Sequence, residues 1–589
     1  MLSYSFVTNI LCSPILLIAL LQSSSFANVD KTMERAFVTT EITKLKGEWK
    51  VKKANWDSDD EKGFESFVVQ MAKSGCNTVD NCIKNKKANP FFEDWEKSVY
   101  FYADCGRFPY LLRMYYAWKN GLPFSAITKR RGPVDEVNNW VKKQLAAGVK
   151  KPNPDRDFPT NASEKGILMV NRHAVPNSSE ARYNFFQYAK FIVARVNSSN
   201  YRFDVQAKSP ESPDFYPVAI QKNSIKPGTI LYDAKGHVAV VYEITSSGDI
   251  KMLDAHPDNS VTRKTWNRTY KRSRPEHGAG FKNWRPFKLE EAELRQTGLV
   301  GGKIKHQGYK SIKDFSQTQF VGTHPDPSGN WKKGKFIFNN HSLDYHEYVK
   351  LRLAAAGTKI EPLAAVMDGF LSLCQNFRDR VKDVDAAIAK GLDRAPHPLK
   401  MPKNIYNDEG DWENFSTPGR DLRMRQLYFE TLKQVKDYSS RLDSKDPTLQ
   451  STYSESNGQK IQLTGRDFQK LVYEKVQLLA QSCEIQYVNS AGAKTQVGFF
   501  ELIKRLSQFS FSPFHCVERR WGAQNNELKS CKEDSSKREW HSALAHYRRI
   551  MEPEMSYEND LDLKSQIAEN QIRLQKLPAL KFDLEEALE

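Results

Sequence analysis

Apolar residues recur every three or four positions through the second half of the chain. This spacing is typical of amphipathic helices, whose apolar side chains line one face. The two clearest runs consist of Leu363, Val366, Phe370, Cys374, Phe377, Val381, Val384 and Ile388, and of Met424, Tyr428, Leu432 and Val435. The pattern predicts a mainly α-helical domain over residues 346–589.

The pattern between residues 99 and 289 is mixed. Phe108, Leu111, Leu112 and Tyr115 fall on one face of a helix. Short apolar runs separated by turn signals then predict strands at residues 216–220, 229–232, 237–244 and 250–253. A helix followed by an antiparallel meander is an α+β arrangement.

Changes in this pattern divide the chain into segments. A chain of 589 residues is too long for one hydrophobic core, which rarely serves more than about 250–300 residues. Residues 28–98 have the pattern of polar helices. The mixed domain spans residues 99–289 and carries an insertion at 125–215, in which residues 181–196 are a helix candidate. Residues 290–345, rich in Gly, Pro, Lys and His, are interpreted as a linker.

The N-terminus has the features of a secretory signal peptide. A short apolar run, Ile15 to Leu21, is followed by small residues at Ser25 and Ala27, which suit cleavage after Ala27. The run is too short to span a bilayer, for which about 20 apolar residues are needed. We therefore expect residues 1–27 to be removed and the mature protein to be periplasmic or secreted, with no membrane span. An uncleaved N-terminal anchor is the alternative.

The cysteine count agrees with an exported protein. Cys12 leaves with the signal peptide, which leaves seven cysteines, an odd number. In an oxidising compartment most of them should form disulfides. Short spacing pairs Cys76 with Cys82 and Cys516 with Cys531. We hypothesise that Cys374 and Cys483 join two helices, which leaves Cys105 as the free thiol.

The charge is unevenly distributed. The net charge is +17, yet residues 551–589 contain ten acidic and four basic residues, so the rest of the chain is more basic. A basic surface attracts polyanions. No basic run is dense enough for a nucleic-acid arm, so we expect no nucleic-acid partner.

Candidate chemistry is concentrated around Cys105 and His237. A thiol attacks a carbonyl as thiolate, so it needs a nearby base and a positive local potential. Cys105 lies just before an amphipathic helix, whose amides stabilise an anion, and Gly106 allows close approach to the backbone. His237 begins a predicted strand, and Asp254 or His256 on the next strand is placed to orient its ring. A zinc site made by these residues with His277 is the alternative.

These residues resemble a family. Asp104-Cys105 at the start of a helix, then Gly236-His237-Val-Ala-Val-Val, then a polar residue on the following strand, is similar to the papain-like cysteine peptidases of the NlpC and CHAP groups. The resemblance implies a papain-like or NlpC-like domain that hydrolyses amide bonds, usually in peptidoglycan, without a metal or another cofactor. It implies that Cys105 is the nucleophile, that His237 is the base, and that Asp254 or His256 is the third polar residue.

Two classes of function follow. The first is an exported cysteine hydrolase that cleaves amide bonds in the cell wall, with peptidoglycan or another acidic envelope polymer as its partner. The second is a non-catalytic exported binding or assembly protein that keeps the papain-like scaffold. The function of residues 346–589 is not predicted by either class.

Overall fold

A computed structural model describes most of the chain. It covers residues 34–584 except 147, 159, 161–162, 177–182, 205–208, 403–404, 406–409, 455–457, 552–560, 579, 581 and 583. The expected signal peptide at residues 1–27, with Cys12, lies outside the described residues.

Six antiparallel strands form a central sheet. In spatial order they are Phe215–Pro217, Gly280–Trp284, Ile230–Tyr232, Val238–Ile244, Ile250–Ala255 and Val261–Thr265. Each of the four predicted strands overlaps one of these, and two strands were not predicted. The mixture of helices and antiparallel strands agrees with the predicted α+β class.

Both faces of the central sheet are covered. Val238 and Val240 belong to one hydrophobic cluster, whereas Ala239 and Val241 belong to another, because successive side chains of a strand point to opposite faces. The first cluster runs from Ala36 to Leu289 and includes the N-terminal helices, so the described part of the N-terminal segment, residues 34–98, shares a core with the mixed domain. The second joins the sheet to the helical half of the chain.

The helices on the first face precede the sheet in the chain. Phe108–Asn120 is the central one, with eleven buried residues between Phe108 and Trp118. The predicted insertion at 125–215 is folded: it contains most of the antiparallel strand pair Phe124–Arg131 and Leu168–Val175, and its helix candidate is a helix over Phe185–Val193. The other α-helices before the sheet are Glu41–Lys46, Ser58–Lys73, Val79–Lys84, Val134–Ala146 and Pro154–Asp157.

Residues 290–345 differ from the predicted linker. They contain most of a long hairpin, Phe287–Arg295 with Gly298–His306, and a short one, Phe336–Phe338 with His341–Leu343. The long hairpin has charged, exposed residues on much of both faces, such as Lys303 paired with Glu291 at 2.7 Å. Apolar alternation is the sequence signal for a strand, and this hairpin lacks it.

The second half is mainly helical, as predicted, and also contains two hairpins. The hairpins are Thr452–Ser454 with Lys460–Gln462, and Glu484–Val488 with Lys494–Gly498. The longest helices are Pro362–Ala389, Pro418–Asp443 and Gly465–Ser482; the shorter ones are Tyr345–Leu353, Asp411–Phe415, Phe499–Lys504, Val517–Arg520, Ser535–Ala543 and Leu563–Lys576. Among the described residues, no helix is both long and apolar enough to cross a bilayer.

The three predicted disulfides are confirmed. The Cα atoms are 5.1 Å apart in the Cys76–Cys82 pair, 5.9 Å in Cys374–Cys483 and 5.8 Å in Cys516–Cys531. Cys105 is the free cysteine of the described chain. Its thiol is therefore available for chemistry or for labelling.

Candidate active site

Cys105 lies in the turn that leads into the helix Phe108–Asn120. The Phe108 amide donates to the Asp104 carbonyl oxygen at 2.8 Å, and the Arg107 amide donates to Asp104 Oδ1 at 2.9 Å. Pro109 fits because amides of the first helical turn have no acceptor within the helix. This local geometry fixes the sulfur at the beginning of the helix.

Arg107 neutralises the acid beside the sulfur. Its guanidinium pairs with the Asp104 carboxylate, and its Nε donates to the Val193 carbonyl oxygen at 2.7 Å. The pair is about one-fifth exposed. It leaves the first turn of the helix without a net negative charge.

Gly106 is required for packing, whereas the sequence predicted that it allows a substrate to approach the backbone. A Cβ added there would lie 2.5 Å from the Ser198 amide nitrogen and 2.8 Å from the Asn197 carbonyl carbon. The Gly106 carbonyl also accepts a hydrogen bond from the Tyr201 hydroxyl at 2.9 Å. The glycine therefore admits a neighbouring backbone turn of the same protein, rather than a substrate.

The Cys105 sulfur contacts the backbone on both sides of His237. It lies 4.0 Å from the Gly236 carbonyl oxygen, and the Val238 amide is a second backbone partner. Burial, and then the Asp104 carboxylate, raise the pKa of the Cys105 thiol to about 12. In this resting geometry the sulfur is a neutral thiol, and its hydrogen-bond acceptor is Gly236 rather than the imidazole.

His237 is held by Asp254. Its Nε2 lies 2.7 Å from Asp254 Oδ2, and its side chain is 23% exposed. Burial lowers the pKa of His237, and Lys264 and His256 add to this, while Asp254 opposes them. The neutral ring donates Nε2–H to the carboxylate, so Nδ1 carries the lone pair that can accept a proton.

Asp254 is the centre of a hydrogen-bond network. It accepts hydrogen bonds from the Thr262 hydroxyl and, at 3.0 Å, from the Lys264 ammonium. Burial raises the pKa of Asp254, but Lys264, the hydrogen bond from His237 and the nearby His256 ring bring it well below its usual value. The carboxylate therefore stays ionised and can stabilise a positive charge on the His237 ring.

His256 lies next to His237 but does not bond to it. The two rings stack with centroids 6.1 Å apart, and His256 Nε2 lies 3.0 Å from the Thr262 hydroxyl and 3.6 Å from Asp254 Oδ1. Asp254 is thus the residue in direct contact with the His237 ring. Thr262 and Lys264 were not singled out in the sequence, although the alternation of Val261–Thr265 places them on one face of a strand.

His277 lies apart from these residues. It ends the short helical turn Pro275–His277 and is buried. Burial is the main cause that lowers its pKa to about 2, and the charges of Arg202 and Arg274 add to it. In the described part of the chain, the one group with metal-ligand geometry is Cys516, Cys531 and Glu533, and its two cysteines form a disulfide. The zinc alternative thus lacks a geometric basis in the described chain.

The raised pKa of Cys105 predicts a pH dependence of alkylation. The thiolate is the reactive form, and its fraction increases about tenfold per pH unit below the thiol pKa. We expect the rate of iodoacetamide reaction at Cys105 to rise about tenfold per unit from pH 7 to about pH 10, without a plateau. Mass spectrometry of the Cys105 peptide measures this rate. A plateau near neutral pH would instead indicate a thiolate–imidazolium pair.

Comparison with known proteins gave no match to the chain. No model of a protein family matches the chain. No curated protein and no solved structure matches it either.

Proposed function

We propose that this protein is an exported cysteine hydrolase of the papain-like type that cleaves amide bonds in peptidoglycan peptides. The observation that carries the proposal is the 2.7 Å contact of His237 with the ionised Asp254, next to the backbone against which the Cys105 sulfur packs. The proposal requires the carboxylate-oriented imidazole of His237 to act on the free thiol of Cys105, which is the pairing that nucleophilic catalysis uses. The disulfides favour an oxidising compartment.

The proposed reaction starts from a neutral thiol and a neutral imidazole. His237 Nδ1 removes the thiol proton as the sulfur attacks the amide carbonyl carbon, which requires a shift of the sulfur from Gly236 toward the ring. The imidazolium that forms is stabilised by Asp254 and then donates its proton to the leaving amine. Water, deprotonated by the neutral His237, attacks the Cys105 thioester; the C–S bond breaks, the carboxylic acid product leaves, and the imidazolium returns its proton to the sulfur.

The alternative is a non-catalytic exported protein that uses the same scaffold for binding or assembly. The observation that favours it is the state of the thiol, because its pKa of about 12 and its contact with Gly236 describe an unactivated sulfur. In that case Cys105 would be a buried structural residue. The alternative requires no shift of the sulfur.

Capture of the thioester separates the two functions. We expect the full-length protein to release new amino groups from peptidoglycan fragments, and an acid quench to trap a mass increase on the Cys105 peptide. The three disulfides provide an internal control, because their cysteines cannot form the adduct. Absence of both amine release and adduct, with peptidoglycan from several chemotypes, would leave the binding protein as the function.

A further inference from the structure

A group of positive charges lies beside the candidate nucleophile, at the contact between the two halves of the chain. Lys235 stands next to Gly236, whose carbonyl oxygen is 4.0 Å from the Cys105 sulfur. Its ammonium donates to Gln426 Oε1 on the helix Pro418–Asp443 at 2.9 Å. The helical half of the chain therefore contacts the same turn that carries His237.

One face of that helix points at this turn. Gln426 contacts Lys235, and Glu430, one turn later, accepts from Lys271 at 2.6 Å. Arg423 precedes Gln426 by three positions, which places it on the same face. It forms no ion pair or hydrogen bond with another described residue, and it is partly exposed.

Among the described residues, more cations than acids act on Lys235 at this contact. Arg423, Lys271 and Arg425 act on Lys235, and so does the carboxylate of Asp233, whose Oδ1 lies 3.4 Å from the Lys235 amide. Burial lowers the pKa of Lys235 to about 7; the three cations add to this, and Asp233 opposes it. An incoming anion would relieve this repulsion, since opposite charges favour the charged form of the lysine.

The charges reach the catalytic network. Burial raises the pKa of the Tyr270 hydroxyl, the Asp254 carboxylate raises it further, and Arg423 opposes this. Tyr270 therefore lies within electrostatic range of both the Asp254 carboxylate, which holds His237, and the Arg423 guanidinium. Cys105, Lys235, His237 and Arg423 are all partly exposed.

We propose that Lys235 and Arg423 form a carboxylate-binding site beside Cys105, so that the protein takes an acidic peptide whose carboxylate docks against the helix Pro418–Asp443. The inference rests on the proposed function for the identity of the substrate, and it assigns a role to the helical half. A carboxylate can accept hydrogen bonds from an ammonium and a guanidinium at once, which gives both orientation and affinity. The acceptor Gln426 keeps Lys235 in position without neutralising it.

Two alkylating reagents test this site without knowledge of the substrate. Iodoacetate and iodoacetamide attack the same sulfur, but only iodoacetate carries a carboxylate, so the ratio of their rates at Cys105 cancels the thiolate fraction. In the double variant Lys235→Gln and Arg423→Gln, we expect the ratio of the iodoacetate rate to the iodoacetamide rate to fall at least about tenfold. A change of this size corresponds to the loss of one charged hydrogen bond. Raising the salt concentration from about 0.05 to about 0.5 M should lower the ratio in the native protein only.

Lys436→Gln is the matched control. It removes one positive charge from an exposed position of the same helix, on a face that does not contact the turn, so the ratio should change less than twofold. Each variant is first compared with the native protein by thermal melting. An equal ratio in the native protein and the double variant, or no reaction with either reagent, would overturn the proposal.

A binding measurement keeps this test separate from catalysis. We expect the Cys105→Ala variant to bind acetyl-hexaglutamate amide more tightly than acetyl-hexaglutamine amide, as measured by calorimetry. This preference should be lost when Lys235→Gln and Arg423→Gln are added to Cys105→Ala. If hydrolysis is absent while this preference holds, the anion site stands and the proposed reaction fails. If hydrolysis is present while acidic and neutral peptides bind equally, the anion site fails alone.

Discussion

Asp254→Asn should reduce turnover about a thousandfold. A positioned base and its orienting carboxylate together contribute a rate enhancement of about 10²–10⁴-fold, and the expected loss lies within that range. Asn keeps the shape and the hydrogen bond from Thr262, but it cannot stabilise an imidazolium at His237. It can also present an amide donor to the ring, which favours the wrong tautomer. The expected loss lies in kcat, because Asp254 is 2% exposed and does not contact the substrate.

The pH profile distinguishes this role from a structural one. Asp254 raises the pKa of His237, and its removal lowers that pKa further. The neutral, basic form of His237 then persists to lower pH, so the acid limb of kcat/KM should move to lower pH in Asp254→Asn. An unmoved acid limb, together with a lowered melting temperature, would indicate that the variant only perturbs folding.

His256→Gln is the matched variant that tests whether Asp254 or His256 orients the His237 ring. Its ring bonds to Thr262 and only stacks on His237, so we expect less than about a tenfold loss in kcat. A loss as large as that of Asp254→Asn would instead make His256 the residue that sustains the imidazole. Both variants should retain the three disulfides, which a free-thiol count equal to that of the native protein verifies.

Two of the disulfides and the strand that follows His237 could be predicted because their signals are local. Cys76 and Cys82, and likewise Cys516 and Cys531, are close in the chain, so the spacing itself indicated the partner. The apolar alternation before Ile244 marked a strand, and the glycine before His237 marked a turn. The structure has the strand over Val238–Ile244, with His237 directly before it.

The partners of Asp254 depend on strand register, which the sequence does not contain locally. Asp254 is opposite Thr262 in the antiparallel ladder, and Lys264 is two residues further on the same face. The strand Val261–Thr265 is short and largely polar, so apolar periodicity did not detect it. The contact between Lys235 and Gln426 lies further beyond prediction, because it joins residues 191 positions apart.

A buried ion pair holds the helical half together. Arg380 Nε donates to Asp421 Oδ1 at 2.7 Å, and both side chains are at most 1% exposed. The guanidinium also donates to the Ser510 carbonyl oxygen at 3.0 Å and lies 4.8 Å from the Trp521 ring centre. Arg520 is buried nearby, where burial and the charge of Arg380 lower its pKa to about 9 and Asp421 opposes them.

Asp421→Asn should therefore lower the free energy of unfolding by about 3–5 kcal/mol, the cost of leaving a buried charge without its partner. Urea unfolding followed by tryptophan fluorescence measures this free energy, with Trp521 as the nearby reporter.

Glu291→Gln, in the exposed pair with Lys303, is the control and should change the free energy of unfolding by less than about 1 kcal/mol. The double variant Arg380→Met and Asp421→Leu should cost less than Asp421→Asn alone, because it removes both charges from the interior. The Arg380 side chain is 0% exposed, so no water should stabilise its charge once Asp421 is replaced. A decrease in the free energy of unfolding of less than about 1 kcal/mol in Asp421→Asn would contradict this, because it would mean that water reaches the Arg380 guanidinium.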